Sequence, residues 1–508
     1  MVFSSLVFLC LYLPAVLLLY CLCPAKLRNG LLLIASLIFY AWGEPVYILI
    51  MLFSTVFDYC NGRALEYLTQ KRDRISVDLF TQKDIVTPEE KPLPDKQGEI
   101  FYNKLRKAVL IISVVGNLGI LCFFKYANFF LQTLEALTEM KMPLIHLALP
   151  IGISFYTFQT MSYTIDVYRG RVKAQHNIIA FGMYVSMFPQ LIAGPIVRYA
   201  TVEDQLNNRK LVSKDMALGM QRFLIGLAKK VLLANQIGAL WTEISGQNVQ
   251  TVASAWLGAI AFTFQIYFDF SGYSDMAIGL GQIFGFRFPE NFDHPYESKS
   301  ITEFWRRWHI TLSSWFREYV YIPLGGNRLG QKRQIWNLFI VWCLTGLWHG
   351  ASWNFLFWGI YYFLLLVIEK KFLLNILRGF QNWVCRAYTM FFVVLGWAVF
   401  ANENLYALRR FIFAMFGRSV SLWDKSAIYL WYTHLPMLII LAVGATTLPK
   451  RLLGKLWQMM TKNKESFRVQ YEEKIMFFAL GIFTVALLIL SLAFLISGSY
   501  NPFLYFRF

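Results

Sequence analysis

Apolar runs that recur from one end of the chain to the other are the feature that most limits its fold. They lie at residues 3–23, 31–42, 46–66, 108–131, 147–165, 179–197, 216–240, 253–285, 336–368, 383–402, 407–417, 427–447 and 475–497. An apolar run of about 20 residues is long enough to cross a bilayer as a helix. Charged residues make up only 15% of the chain, against about 25% in soluble domains. These features exclude a soluble enzyme, a disordered chain and a disulfide scaffold.

The expected fold is a single all-α, membrane-embedded domain over residues 1–508. Several runs are too short or too polar to cross by themselves, so we expect about 11–13 membrane segments, some of them re-entrant or interfacial. Residues 3–23 lack the basic start and the small-residue cleavage site of a signal peptide, which predicts a retained first helix.

The net charge of +18 comes largely from Lys and Arg between the apolar runs. Cytoplasmic loops that face anionic lipid have this pattern, so we expect membrane lipid, and not nucleic acid, as a partner. Lys and Arg are concentrated in the cytoplasmic loops of membrane proteins, which is known as the positive-inside rule. This rule predicts that 24–30, 67–107 and 448–474 are cytoplasmic and that the N-terminus and the tail 498–508 are outside. Residues 67–107, with nine Lys/Arg and seven Asp/Glu, are expected to form an irregular polar loop.

Residues 284–358 depart from an ordinary helix bundle and form the expected catalytic segment. A capping pattern at Ser300 begins a predicted amphipathic helix over 301–317, with His309 at the edge of its apolar face. Such a helix lies along the membrane surface or dips into it. A histidine in that position is more often a packed residue than a catalyst, so His309 alone does not decide a function.

A basic stretch follows this helix. Pro323 and the Gly-Gly pair after it stop regular structure, and Arg328, Lys332 and Arg333 make a basic surface. The stretch is either another cytoplasmic loop or a contact for the phosphates of a cytoplasmic cofactor, and the two interpretations are compatible.

His349 is the only Asp, Glu, Lys, Arg or His residue between Arg333 and Glu369, and it lies near the middle of an apolar run. Ionisable groups are costly in hydrocarbon, so they usually face the bundle interior and have a function. Desolvation keeps a buried imidazole neutral and able to accept a proton. Gly346 and Gly350 leave room for a substrate or a neighbouring helix. The alternative is a histidine that is satisfied by a neighbouring carbonyl.

Other polar residues accompany this histidine. Ser352 and Asn354 follow it within a turn and a half, and Asp269 and Asp275 lie in a separate apolar run. The aspartates are expected to orient His349, bind a cation or hold helices together, and we favour a structural or orienting role. No P-loop, GxSxG, HExxH or Cys/His array is present, so we expect no metal site and no bound cofactor. Base chemistry centred on histidine remains.

Two motifs, FWRRWHITLSSWFREYVYIPLGGNR at 304–328 and LTGLWHGASWNFLFWG at 344–359, together with the tail NPFLYFRF, resemble the membrane-bound O-acyltransferase (MBOAT) superfamily. The similarity is to its bacterial alginate O-acetyltransferase-like branch. It implies a many-helix bundle with a central funnel or tunnel, in which a donor thioester meets an acceptor across the membrane. It also implies that His349 is the catalytic histidine and that His309 is the first motif position.

The combined prediction is a multi-pass O-acyltransferase of a bacterial inner or plasma membrane. It would move an acetyl group from a cytoplasmic donor, acetyl-CoA, to hydroxyls of an exported or cell-surface polysaccharide, directly or through an extracytoplasmic partner transferase. His349 would act as the base on the acceptor hydroxyl, and His309 would position or polarise the donor. Four basic residues would attract the CoA phosphates: Arg317, Arg328, Lys332 and Arg333.

Two alternatives stay open at this point. Related proteins with the same two motifs transfer D-alanine to teichoic acid-type polymers. A non-catalytic transporter or lipid flippase would also explain a membrane bundle with intramembrane polar residues, but the chain lacks the internal repeats of many transporters.

Overall fold

A computed structural model describes residues 1–81, 96–145, 147–247, 250–418, 420–461, 466–498 and 504. The described residues form helices and contain no strand. The α-helices are α1 Leu13–Leu22, α2 Arg28–Ala41, α3 Ile48–Thr81, α4 Lys96–Thr138, α5 Ile153–Tyr168, α6 Ile178–Ser186, α7 Phe188–Leu191, α8 Tyr199–Asn207, α9 Ser213–Ala228, α10 Asn235–Ser245, α11 Val252–Ile283, α12 Ile301–Arg307, α13 Ile310–Phe316, α14 Gly330–His349, α15 Trp353–Ile368, α16 Leu374–Leu377, α17 Asn382–Ala401, α18 Leu405–Met415, α19 Lys425–Gly444, α20 Leu448–Thr461 and α21 Ser466–Ser497. Four wider π-helical turns adjoin them: Phe8–Tyr12, Lys229–Ala234, Arg317–Tyr321 and Glu369–Leu373.

Six helical segments among the described residues are long and apolar enough to cross a membrane. They are Ile48–Ile75, Gln97–Thr138, Ser213–Ser245, Asn382–Ala401, Lys425–Gly444 and Phe478–Ser497. The other apolar runs form shorter or more polar helices, of which α11 is almost wholly buried inside the bundle. The expectation of an all-α membrane bundle is therefore confirmed.

The polar segment 67–107 is not an irregular loop where the structure describes it. Helix α3 continues to Thr81 and helix α4 begins at Lys96, so the polar residues at both ends of the segment are helical. Long charged side chains are good helix formers, and a helix that leaves the membrane needs no apolar face. Residues 82–95 lie outside the described part of the chain. The predicted loop 448–474 is likewise helical over Leu448–Thr461 and again from Ser466.

Close glycine contacts join the centre of the bundle. A Cβ atom on Gly219 would lie 2.6 Å from the carbonyl oxygen of Gly279, and one on Gly226 would lie 2.5 Å from that of Gly272. Helices α9 and α11 therefore approach at two glycine pairs, where only a hydrogen fits between the backbones. This contact places α11 in the middle of the molecule.

The predicted helix over 301–317 is broken at its centre. Helix α12 ends at Arg307 and α13 begins at Ile310, with His309 between them in the left-handed conformation (φ 44°, ψ 54°). A residue other than glycine seldom adopts this conformation, because its Cβ atom is crowded there. The capping pattern is also only half formed: Ser300 accepts from the amide of Glu303, but the carboxylate of Glu303 accepts from Lys299.

The run around His349 is a helical hairpin and not a single crossing. Helix α14 ends at His349, Gly350 is extended, and α15 returns from Trp353. A Cβ atom on Gly346 would collide with the carbonyl of Phe355, and one on Gly350 with the ring of that residue. The two glycines thus make room for the neighbouring helix and not for a substrate.

Candidate active site

His309 is fixed by Asn291, which lies in the segment between α11 and α12. The side-chain oxygen of Asn291 accepts hydrogen bonds from the backbone amide and the hydroxyl of Thr311, at 3.3 and 2.9 Å, and lies 3.0 Å from Nδ1 of His309. Its backbone carbonyl accepts from the amide of Ile310 at 3.0 Å. These bonds hold His309 in a backbone conformation that costs about 1–3 kcal/mol.

The same bonds define the tautomer of His309. A backbone amide can only donate, so the atom of Asn291 that faces Thr311 must be the oxygen. Nδ1 of His309 therefore carries the proton, and Nε2 of the neutral ring is an acceptor. Nε2 is buried and has no hydrogen-bond partner among the described residues.

His349 lies at the last position of α14, where aromatic rings surround its imidazole. Its ring centroid is 5.1 Å from those of Trp348 and Trp358 and 5.3 Å from that of Phe400. The side chain is buried, with 4% of the residue exposed. A polar group held in this apolar shell is the arrangement expected of a functional intramembrane histidine.

The two histidines come from separate elements but share a neighbour. The ring of Trp348 lies 5.9 Å from His309 and 5.1 Å from His349. Two buried apolar clusters meet here, because Trp348 belongs to the one built mainly from α1–α8, while Trp358 and Phe270 belong to the other. The ring of Phe270 packs 4.7 Å from His309. The fold thus brings both predicted histidines to one region of the interior.

A cavity of about 250 Å³ leads to His309 between α12–α13 and α14. Arg306 and Arg317 line it together with the hydroxyl side chains Thr302, Ser313 and Thr345. Both arginines are exposed, whereas His309 is buried. The cavity therefore has a basic, exposed side and a buried histidine inside.

The predicted donor-binding residues separate into two groups. Arg317 lines the cavity, but Arg328, Lys332 and Arg333 do not. These three are exposed on the turn before α14 and its first residues. Beside Arg317, a hydrogen bond from Arg171 lowers the pKa of the Glu318 carboxyl below its ordinary value. Glu318 thus stays ionised and offsets part of the positive charge at this surface.

Both predicted aspartates pair with basic side chains. Asp269 forms a buried ion pair of 2.6 Å with Lys230 and accepts from the amide of Leu504. Asp275 accepts from Arg222 and Lys229, at 2.9 and 2.7 Å. These bonds join α9 and the turn after it to α11, as a structural role requires. No hydrogen bond between either aspartate and a histidine occurs among the described residues, so the aspartate–histidine pairing is not seen.

Asp275 also helps indirectly to hold His309 in place. Arg222, which it binds, donates at the same time to Glu290 at 2.7 Å. Glu290 is the residue before Asn291, so the aspartate helps to anchor the segment that fixes His309.

Ser352 and Asn354 hold the hairpin to its neighbours. The side-chain amide of Asn354 donates to the backbone carbonyls of Val399 and Phe400 at 3.4 and 3.3 Å. The hydroxyl of Ser352 donates to the backbone carbonyl of Glu403. These contacts are with backbone, so they help to fix the hairpin that carries His349. No group of three metal-ligating side chains occurs in the described ranges.

Sequence reasoning missed three residues of this site. Asn291 lies in a polar connection that carried no pattern. Lys125 and Glu369 are ionisable residues within or at the end of apolar runs, which is the same signal that singled out His349. The buried carboxylate of Glu369 accepts from the amides of Ile301 and Thr302, at 2.6 and 2.8 Å, and so caps the helix that leads to His309.

Comparison with known proteins identifies the family of the chain. The model of the MBOAT, membrane-bound O-acyltransferase family, matches residues 112–403, which is more than half of the chain and contains both histidines. The chain belongs to the membrane-bound O-acyltransferase family. The resemblance inferred from the two motifs is confirmed, and so is the prediction of an enzyme that transfers acyl groups.

Two relatives named as O-acetylating enzymes match most of the chain, and a D-alanyltransferase matches less than half of it. A probable alginate O-acetylase of Pseudomonas aeruginosa is 44% identical over 430 residues, 84% of this chain and 76% of that protein. A peptidoglycan O-acetyltransferase of Helicobacter pylori is 32% identical over 458 residues, 82% of this chain and 80% of that protein. A teichoic acid D-alanyltransferase of Bacillus subtilis is 28% identical over 236 residues, 44% of this chain and 59% of that protein.

Proposed function

We propose that this acyltransferase moves an acetyl group from cytoplasmic acetyl-CoA to hydroxyls of an exported or cell-surface polysaccharide. The observation that carries the proposal is the pair of buried histidines around Trp348, one of which lines a cavity with a basic side. A thioester donor with a phosphorylated end fits such a cavity, because guanidinium groups bind phosphates well.

The cavity size suggests how the donor binds. Ligand pockets for drug-sized molecules run from about 300 to 1,000 Å³, and the cavity at His309 is about 250 Å³. It would take the acyl-pantetheine arm, while the nucleotide stays outside near Arg306 and Arg317. The exposed residues Arg328, Lys332 and Arg333 would add charge to that surface.

His349 is the proposed general base. It takes the proton from the acceptor hydroxyl as the oxygen attacks the thioester carbonyl, and the C–S bond then breaks. The proton passes from the imidazolium to the departing thiolate, so the products are the O-acetyl ester and free thiol. A neutral imidazole in an apolar shell is suited to this exchange, because it needs no counter-ion before the reaction.

His309 is the proposed positioning group for the donor. Of the two roles expected for it, positioning or polarising, the tautomer favours the first. Nε2 accepts and does not donate, so it would bind an amide N–H of the pantetheine arm and not the thioester carbonyl oxygen.

The relatives favour acetyl over D-alanyl transfer. O-acetyltransferases resemble the chain over 82–84% of its length at 32–44% identity, whereas the D-alanyltransferase resembles 44% of it at 28%. The acceptor would be a polysaccharide, reached directly or through a partner transferase outside the membrane. The enzyme would accordingly lie in a bacterial inner or plasma membrane.

Purified protein in liposomes with radiolabelled acetyl-CoA tests the proposal. We expect label to reach a polysaccharide acceptor, or an added extracytoplasmic transferase, and free CoA thiol to appear in equal amount. D-alanyl carrier protein is the alternative donor, and turnover with it alone would replace the acetyl assignment.

A further inference from the structure

Lys125 is a buried lysine in a helix that is apolar enough to cross the membrane. It lies in α4, where only 8% of the residue is exposed. Lysine is almost never fully buried unless it is paired, and no carboxylate lies within ion-pair distance of Lys125 in the described ranges. An ionisable group at this depth is a candidate for function, and its contacts identify what it acts on.

The contacts of Lys125 are with the end of the helix that carries His349. Its ammonium donates to the backbone carbonyls of Trp348 and, at 3.4 Å, of His349. A third bond of 3.4 Å reaches the hydroxyl of Ser154. The next residue, Tyr126, donates from its hydroxyl to the carbonyl of Leu347 at 2.6 Å. Two consecutive side chains of α4 thus bind three consecutive carbonyls of α14.

These carbonyls are the ones that a helix leaves unsatisfied. The last four carbonyls of an α-helix have no intrahelical donor, and α14 ends at His349 because Gly350 is extended. A cation beside the C-terminal carbonyls also interacts favourably with the helix dipole. Lys125 therefore fixes the backbone of His349 itself, at the point where the chain turns into the hairpin.

We propose that Lys125 is a positioning residue that holds His349 in place for acyl transfer. The inference rests on the proposed role of His349 as base. Lys125 touches the backbone of His349 and does not line the cavity at His309. Its loss should therefore slow the chemical step and leave donor binding unchanged.

Lys125→Met removes the ammonium and keeps the length of the side chain. Because a misplacement of about 1 Å at a reacting group can cost about 100-fold, we expect kcat to fall at least about tenfold while the KM for acetyl-CoA stays within about twofold. Lys125→Arg, which can still donate to the carbonyls, should restore much of the loss. Lys107→Met removes an exposed charge from the same helix and should have no effect. A wild-type kcat in Lys125→Met, or an equal change in KM, would overturn the proposal.

A second measurement does not depend on turnover. Diethylpyrocarbonate labels imidazole rings, and mass spectrometry compares His349 with His309 in one sample. Lys125→Met should raise the labelling rate of His349 relative to His309, and Lys125→Arg should not. Unchanged labelling contradicts the positioning role, whereas absence of acetyl transfer by the wild-type protein contradicts only the proposed function.

Tyr126→Phe is the second variant, to be used if Lys125→Met protein fails to accumulate in the membrane. It keeps the ammonium and removes the bond to Leu347. We expect a severalfold lower kcat at normal donor KM. If Lys125→Met fails to accumulate and Tyr126→Phe keeps the wild-type kcat, the contacts of α4 with these carbonyls serve folding alone and the proposal is overturned.

Discussion

His349 carries the sharpest prediction at the scale of single residues. General-base catalysis contributes about 10²–10⁴-fold, so His349→Ala should lose acetyl transfer by at least roughly that factor. His309→Ala should lose less, because a positioning role leaves the base in place. His434→Ala removes a histidine from α19, outside the site, and is the matched control. Transfer is measured with radiolabelled acetyl-CoA in liposomes.

The outcome is read together with the amount of folded protein. The aromatic shell of His349 and the contact at Gly346 remain in His349→Ala, so the variant should insert and accumulate. Near-normal transfer by well-expressed variant protein would contradict the base mechanism. Failure to accumulate would instead show that the imidazole is needed for folding.

Asn291 gives a second prediction at this scale. Asn291→Ala removes the acceptor of three donors on Thr311 and His309. Leaving a buried donor unsatisfied costs about 1–3 kcal/mol, so we expect a lower Tm and reduced kcat. Asn291→Asp keeps an acceptor oxygen and should stay close to the wild-type Tm. Equal melting curves for the wild type and Asn291→Ala in detergent would show that the hydrogen bonds of Asn291 do not stabilise this site.

The sequence shows which single residues are costly in a membrane but not what they bind. His349 was predicted because an ionisable group interrupts an apolar run. Lys125 and Glu369 give the same signal, but their partners lie 224 and 68 positions away in the chain. Only packing decides which runs are neighbours, so their roles could not be predicted.

At the scale of helices, the hairpin of α14 and α15 depends on its glycines. A Cβ atom on Gly346 meets backbone, which cannot rotate away as a side chain can. Gly346→Ala should force the two helices apart, displace His349 and lower both Tm and kcat. Gly119→Ala is the control: it lies in α4 with no atom within 4 Å of the added Cβ. This control should be neutral or stabilising by up to about 1 kcal/mol, and an equal loss in both variants would refute the close contact.

Helices were predictable from apolar runs, but their breaks were not. The break at His309 has no local signal, because glycine or asparagine is the usual residue in a left-handed conformation. Asn291, 18 positions earlier, imposes it. Similarly, charge predicted an irregular loop over 67–107, although the charged residues up to Thr81 extend α3 beyond its apolar part.

The basic surfaces beside the site make a further prediction at this scale. Neutralising Arg306 and Arg317 together should raise the KM for acetyl-CoA more than it lowers kcat, because they line the cavity and are not near the base. Neutralising Arg328, Lys332 and Arg333 should have the same kind of effect, but a smaller one, since these residues lie outside the cavity. The KM values for acetyl-CoA of the double and the triple variant, each compared with the wild type, test this prediction. An unchanged KM in the triple variant would reduce that stretch to a topology signal.

At the scale of the whole molecule, helix length constrains the orientation. Helix α3 has 34 residues and is about 51 Å long at 1.5 Å per residue, which exceeds a hydrocarbon core of about 30 Å. A helix of this length and composition can cross the bilayer once, so we expect the turn before Ile48 and the end of α3 near Thr81 to lie on opposite sides of the membrane. The positive-inside rule then predicts that the turn is outside and that the polar segment 67–107 is cytoplasmic.

Cysteine labelling in intact cells tests this orientation. In a protein whose seven cysteines are replaced, a cysteine at Ser76 should resist a membrane-impermeant maleimide, because the polar end of α3 is predicted to face the cytoplasm. A cysteine at Ser466 should resist it too, because the segment 448–474 is also predicted to be cytoplasmic. Val46, which is 69% exposed in the turn before α3, is the matched position on the opposite side and should react as a cysteine. All three should react after the cells are opened, which excludes burial as the cause of protection. Labelling at Ser76 together with protection at Val46 in intact cells would reverse the orientation and place the basic side of the cavity outside, away from cytoplasmic acetyl-CoA.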